Sequence, residues 1–179
     1  MDIARISVVP YDPLWPELFA DERRLLEETL APWLAGGVHH IGSTAVPGLA
    51  AKPLLDLMAG VRDLDESRAA HEPLEQAGYV YTPHRPREAH HFSKPSASLR
   101  ERTHNLHLTE VGSTLWRERL AFRDVLRADP ALAAEYAALK QRLASQCDDG
   151  ADYSAGKRGF VERVLISAGV TPAPRESHS

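Results

Sequence analysis

The residues best suited to chemistry lie in one run, His40-Ile-Gly-Ser-Thr-Ala-Val-Pro-Gly-Leu-Ala-Ala-Lys-Pro-Leu-Leu-Asp56. Gly42 permits backbone angles that other residues avoid, and it lets a ligand approach the main chain. Ser43 and Thr44 follow with hydroxyls and backbone N–H groups, which suit a phosphate if the chain turns helically here. Lys52 adds a cation. Asp56 stands among Leu54, Leu55, Leu57 and Met58, where a carboxylate is costly without a partner or a metal. The bland alternative for Gly42 to Thr44 is a tight turn with capping hydroxyls.

Imidazoles are the second source of chemistry. The chain has nine His against one Cys, Cys147, and an imidazole can act as acid, base or metal ligand near neutral pH. On one strand, His104 and His107 face opposite sides, so only one meets Asp56; His107 is the preferred partner and His104 a secondary candidate. His40 precedes Gly42 and is placed to orient the loop or line a pocket. Arg123 and Arg127 share a helix face with Arg119. Tyr153 and Lys157 are also four apart, and Lys157 can reach a phosphate as a point charge. Arg87 and Lys94 are secondary phosphate candidates, equally readable as a solvated edge.

The elements that must position these residues follow from periodicity. Ile6–Val9 reads as an edge strand. Residues 14–34 read as a helix started by Asp12 and Pro13 and ended by Gly36-Gly37. Val38–Ile41 and Leu54–Val61 read as strands, the second buried on both faces. Asp65–Ala77 reads as a helix closed by Gly78. Tyr79–Thr82, Ala89–Ser93 and Thr103–Thr109 read as strands. Ser113 caps a helix to Arg127, Asp129-Pro130 starts another, and Asp152 caps a third through Ala168. Trp15, Trp33 and Trp116 read as core or core-edge packing. This order predicts an α/β (α+β) domain, a mixed sheet flanked by helices with a helical C-terminal third, over residues 1–170. Residues 171–179 read as a disordered tail.

Composition narrows the partners. With 21 Lys+Arg against 25 Asp+Glu among 179 residues, the net charge is −4, which argues against a broad nucleic-acid-coating surface. One Cys excludes a disulfide framework and a Cys-rich zinc site. No stretch approaches a membrane span, and the N-terminus lacks signal-peptide order. A cytoplasmic protein without membrane or nucleic-acid partners and without an organic cofactor is expected.

The strand–Gly-Ser–loop–strand-Asp arrangement resembles the nucleotidyltransferase superfamily of the DNA polymerase β type. More closely, His40 to Asp56 resembles the GrpB family of predicted nucleotidyltransferase-like proteins. The likeness continues in Tyr11-Asp-Pro-x-Trp15-Pro, in Arg87 with Phe92-Ser-Lys94, in His104-Asn-Leu-His107-Leu, in Leu120 to Arg127, and in Tyr153 with Lys157 and Phe160. It implies a nucleotidyltransferase-like sheet, with nucleotide phosphate on Gly42 and Ser43, charge toward it from Lys52, Arg123 or Lys157 (Arg123 as ligand or structural anchor), and a divalent metal (Mg, Mn or Zn) on Asp56. It also implies a second carboxylate at 58, where Met58 stands, and a third on Thr103–Thr109, whose centre is His107. One Asp with one His suits Zn²⁺ or Mn²⁺ better than Mg²⁺. Three readings follow: nucleotidyl transfer from a nucleoside triphosphate to a small-molecule acceptor, with Asp56 and His107 as catalytic and metal residues; a non-catalytic module binding a nucleotide or phosphorylated metabolite; and a His/Asp metal-dependent hydrolase. Fusion of a similar domain to dephospho-CoA kinase hints at a partner enzyme in CoA metabolism.

Overall fold

The computed structural model describes residues 7–84, 87–98, 101–147 and 150–172. Helix α1 (Trp15–Thr29) leads to strand β1 (Leu34–Ile41), a single 3₁₀ turn (Ser43–Ala45) and strand β2 (Leu55–Val61). A second 3₁₀ turn (Glu66–Ala70) runs into α2 (His71–Gln76), followed by β3 (Val80–Tyr81), β4 (His90–Lys94) and β5 (His104–Glu110). The C-terminal part is helical: α3 (Thr114–Ala128), α4 (Pro130–Gln146), α5 (Gly150–Gly156) and α6 (Arg158–Ser167).

The sheet order is β1-β2-β5-β4-β3. Only β2 and β5 pair in parallel; the other neighbours are antiparallel. The expected mixed α/β architecture is therefore present. Alternation divides the sheet into two faces. One carries Leu55, Leu57, Ala59, Leu106, Leu108 and Phe92, and buries them under α1 and α2 with Trp15, Leu26, Leu30, Leu74 and Tyr79. The other carries Asp56, Met58, Asn105, His107 and His91, which the register sets side by side. A second apolar cluster, Val46, Leu49, Leu126, Tyr136, Phe160 and Val164, ties the loop after β1 to α3, α4 and α6.

Several boundaries differ from the sequence expectation. α1 stops at Thr29, and Gly36-Gly37 lie inside β1, where the register with β2 shifts. Gly37 adopts φ +75°, and a Cβ on Gly36 would lie 2.8 Å from Trp116; the glycines serve a bulge and a close helix contact rather than a helix stop. Asp12 Oδ1 accepts from Leu14 N at 2.9 Å before the helix, and Pro16 rather than Pro13 occupies the first turn. The expected helix 65–77 splits into the 3₁₀ turn and α2, with Pro73 in the first turn of α2. Ile6–Val9 is reduced to one bridge, Val9 to Ala51, and its first residue lies outside those described. The single helix expected from Asp152 is two, broken near Lys157, and Asp152 lies inside the first turn of α5. Ser113 and Asp129 do cap α3 and α4, accepting from Trp116 N at 3.2 Å and Leu132 N at 3.0 Å. Trp15 is buried, Trp33 packs at the core edge, and residues 173–179 of the expected tail lie outside the described residues. Among the described residues, no helix is long and apolar enough to cross a membrane.

Candidate functional site

The second sheet face opens into a cavity of about 560 Å³, lined by Ile41, Gly42, Asp56, Asn105, His107 and Arg119 and by residues of the β3–β4 side that include His84 and His91. Its floor is set by register. Ile41 pairs with Asp56 across β1–β2, and Asp56 pairs with Asn105 across β2–β5. The neighbour of Asp56 on β5 is thus Asn105, while His107 pairs with Met58 and with His91. His107 lies two residues further along β5 on the same face, a diagonal neighbour of Asp56 at about 8 Å between Cα atoms by strand geometry.

Gly42 makes the approach to Asp56 feasible. It adopts φ +72°, and a Cβ there would sit 2.6 Å from Asp56 Oδ2. Asn105 Nδ2 donates to Asp56 Oδ1 at 3.0 Å. The Asn105 carbonyl oxygen accepts from Arg102 Nη1 at 3.3 Å and from Ser93 Oγ at 3.5 Å. Burial raises the Asp56 pKa above the usual carboxylate value, against the lowering effects of the Asn105 bond, Arg119, Lys157 and Lys52. Arg102 adds its charge to the same field. Four cations therefore act on one carboxylate.

Two of these cations are held by one ring. Lys52 Nζ and Lys157 Nζ lie 4.5 Å and 4.3 Å from the Tyr153 ring centroid, within cation–π range. Burial, then the Lys52 charge, lowers Lys157 to about 8, and burial lowers Lys52 as well. Burial pushes the Tyr153 hydroxyl up to about 12, so it stays protonated. Ser43, in the 3₁₀ turn, hydrogen-bonds the buried Tyr136 of α4, whose pKa is raised by burial. Lys140, buried beside Tyr136, donates to Ala50 O and is lowered to about 7 by burial and by Lys157.

The remaining candidates spread over both faces. Thr44 is buried; its hydroxyl bonds His40 Nε2 at 2.8 Å and donates to Leu54 O at 3.2 Å. His40 stacks on Phe19 of α1, on the face away from the cavity, and burial with Arg127 and Arg123 lowers it to about 4. It orients the loop rather than lining the cavity. Arg123 Nη1 donates to His40 O at 3.2 Å and Arg127 Nε to Ala45 O at 2.8 Å. These two arginines anchor the loop backbone, and Arg119, one turn earlier on the same stripe, is the one that lines the cavity. Lys94 and His104 lie on the α1 face. Lys94 Nζ donates to Glu22 at 3.0 Å, and His104 Nε2 is 3.8 Å from the same carboxylate. Arg87 is exposed in a turn.

His107 stays in the cavity wall. Its ring meets His91 edge-on at 4.6 Å, and His91 meets His84 at 5.4 Å. Burial, His91, Arg119 and His84 hold His107 well below the usual imidazole value. Sequence reasoning missed Asn105 and undervalued Arg119. The i, i+4 spacing to Arg123 was the available signal for Arg119, whereas Asn105 needed the β2–β5 register.

The donor set does not fit the paired divalent ions that a two-metal transferase uses. Asp56 turns one oxygen to an amide N–H, Asn105 has its oxygen engaged, Met58 is fully buried, and the surrounding groups are cationic. Among the described residues, no three His, Cys, Asp or Glu side chains group in a metal-holding arrangement.

The mixed five-stranded sheet, with the Gly42-Ser43 turn leading to the Asp56 strand and helices packed against it, is a fold shared with other solved structures. A chain from the structure of the GLD-2/RNP-8 complex shares it at TM-score 0.56 and 12% identity, covering 92% of this chain and 64% of that one. The chain belongs to the GrpB protein family, which residues 5–166 match. The crystal structure of the conserved protein GrpB from Enterococcus faecalis is similar at TM-score 0.80 and 32% identity, over 90% of this chain and 96% of that one. The UPF0157 protein YqkA of Bacillus subtilis is 32% identical over 92% of this chain, which spans 47% of its length. A dephospho-CoA kinase of Mycolicibacterium paratuberculosis is 33% identical over 82% of this chain and 41% of its own.

Proposed function

We propose that the cavity binds the phosphate group of a nucleotide or phosphorylated small molecule. The observation that carries this reading is the gathering of Lys52, Arg102, Arg119 and Lys157 around the single carboxylate Asp56. Clustered cations in a partly desolvated cleft favour an anion and weaken one another without it. The cavity volume falls within the range of small-molecule sites. Gly42 lines the cavity, and Ser43 follows it in the 3₁₀ turn, where a phosphate would reach the turn backbone.

Titration calorimetry with inorganic phosphate, nucleoside triphosphates and phosphorylated metabolites tests the proposal. Saturable binding is expected, weakened by Ser43→Phe, and retained or strengthened severalfold by Asp56→Asn, which removes the one negative charge. Failure of every phosphorylated compound to bind overturns it.

A second reading, nucleotidyl transfer to a small-molecule acceptor, is favoured by the shared fold and by Asp56 at the cavity floor. The likeness to part of a dephospho-CoA kinase makes CoA-related metabolites the first acceptors to try. Release of pyrophosphate, abolished in Asp56→Asn, would establish it. The hydrolase reading draws less support, because Asp56 and His107 are diagonal neighbours and each has a different adjacent partner.

A further inference from the structure

The Tyr153 ring is met by two lysines. It is buried in α5, its hydroxyl stays neutral, and both ammonium groups lie within 4.5 Å of its ring centroid. Lys52 comes from the loop before β2 and Lys157 from the junction of α5 and α6, so ring contact brings together two charges that otherwise repel. Both act on Asp56, as does Arg119 from α3.

We propose that Tyr153 is a positioning residue that holds Lys52 and Lys157 as a fixed ammonium pair in place of divalent ions, so that the site takes its phosphate ligand metal-free. The inference rests on the phosphate-binding reading above. The chemistry of the neighbours supports it. A metal at Asp56 meets the Asn105 N–H and the charges of four cations, with a single carboxylate to offset them. A bare phosphate oxyanion at the same place is attracted by the cations that act on Asp56. The ring supplies attraction to each ammonium without adding a negative charge that would compete with the ligand. Burial first, and then the Lys52 charge, lower Lys157 to about 8, in keeping with a desolvated cation beside another.

The experiment measures binding of ATP and of inorganic pyrophosphate to the full chain by calorimetry, once with EDTA and once with excess Mg²⁺. The expected result is binding with EDTA at least as tight as with Mg²⁺, because Mg²⁺ neutralises the charge that the lysines read. Tyr153→Leu is expected to weaken binding about five- to tenfold, the equivalent of about one cation–π contact. Tyr153→Phe keeps the ring and restores wild-type affinity. Lys157→Met weakens binding, and only Lys157→Met together with Lys52→Met leaves it insensitive to the further change Tyr153→Leu. Binding that requires Mg²⁺, or that is indifferent to both Lys157→Met and Tyr153→Leu in folded protein, overturns the inference and leaves the phosphate reading standing. No binding under either condition overturns both.

Discussion

Asn105 Nδ2 donates to Asp56 Oδ1 at 3.0 Å across the parallel β2–β5 ladder, so the site carboxylate is hydrogen-bonded by a neutral amide. This bond stabilises the charged carboxylate against burial. Asn105→Ala removes the donor, and the Asp56 pKa is expected to climb further. An NMR titration of the Asp56 carboxyl carbon in both proteins checks the direction. No change, or a fall, would show that the bond has no hold on the charge.

Gly42→Ala places a methyl where Asp56 Oδ2 already lies and forces a non-glycine residue to φ +72°. The backbone at φ 72°, ψ −171° is a region essentially reserved for glycine, and holding alanine there costs about 1–3 kcal/mol. The melting temperature should fall by roughly 2–4 °C for each kcal/mol in a chain of this size. Phosphate binding should weaken with it. Differential scanning calorimetry of the variant reads the first effect.

Gly60 lies beneath Trp116, and a Cβ there would approach the indole to 2.6 Å. Trp116 belongs to α3, which also presents Arg119 to the cavity. Gly60→Ala should lift the N-terminal end of α3 from the sheet, at about 1–3 kcal/mol of overpacking strain. A loss of phosphate affinity that exceeds the loss seen in an equally destabilised variant on the α1 face would show that Arg119 has moved.

His40 has its pKa depressed from 6.5 to about 4 by burial and by Arg127 and Arg123. The unfolded chain therefore binds more protons than the folded one between those values. Stability contributed by neutral His40 is complete above pH 6.5 and is lost as pH falls through about 4, on the order of 3 kcal/mol. Urea unfolding of wild type and His40→Gln should converge as pH is lowered across this window. Parallel curves would place the acid sensitivity elsewhere.

Lys157 is depressed from 10.5 to about 8. Here too the unfolded chain holds the extra proton, so stability rises with pH from about 8 to 10.5, and this rise should shrink in Lys157→Met. Ligand binding reverses the shift, because an anion favours the charged amine. Phosphate affinity should decline as pH rises through about 8, with proton uptake detectable in buffers of different ionisation enthalpy. Lys157→Arg, always charged, should bind with a flatter pH profile.

Much of this molecule was legible in the chain itself. Ser113 and Asp129 announce α3 and α4 because a cap needs only a side chain three residues from an N–H. The β2 segment declares itself by near-continuous apolar character, and β5 by Leu106 and Leu108 alternating with polar residues. Alternation alone separates His104 from His107, and the structure does put them on opposite faces. The spacing of Tyr153 and Lys157 likewise places the lysine on the tyrosine's side.

The site's membership was another matter, because it depends on pairing between segments far apart in sequence. One residue of strand register decides whether Asp56 faces Asn105 or a neighbour, and only the assembled sheet sets that register. Packing against Phe19 turned His40 away from the cavity, the loop carbonyls claimed Arg123, and Glu22 claimed Lys94. Lys52 and Lys157 are more than a hundred residues apart, and nothing local to either indicates that they meet over one ring. Local periodicity determined the elements, their faces and the small set of chemical groups. Tertiary structure decided which of those groups share a cavity, because burial, register and electrostatics act between segments whose separation along the chain does not encode their distance in space.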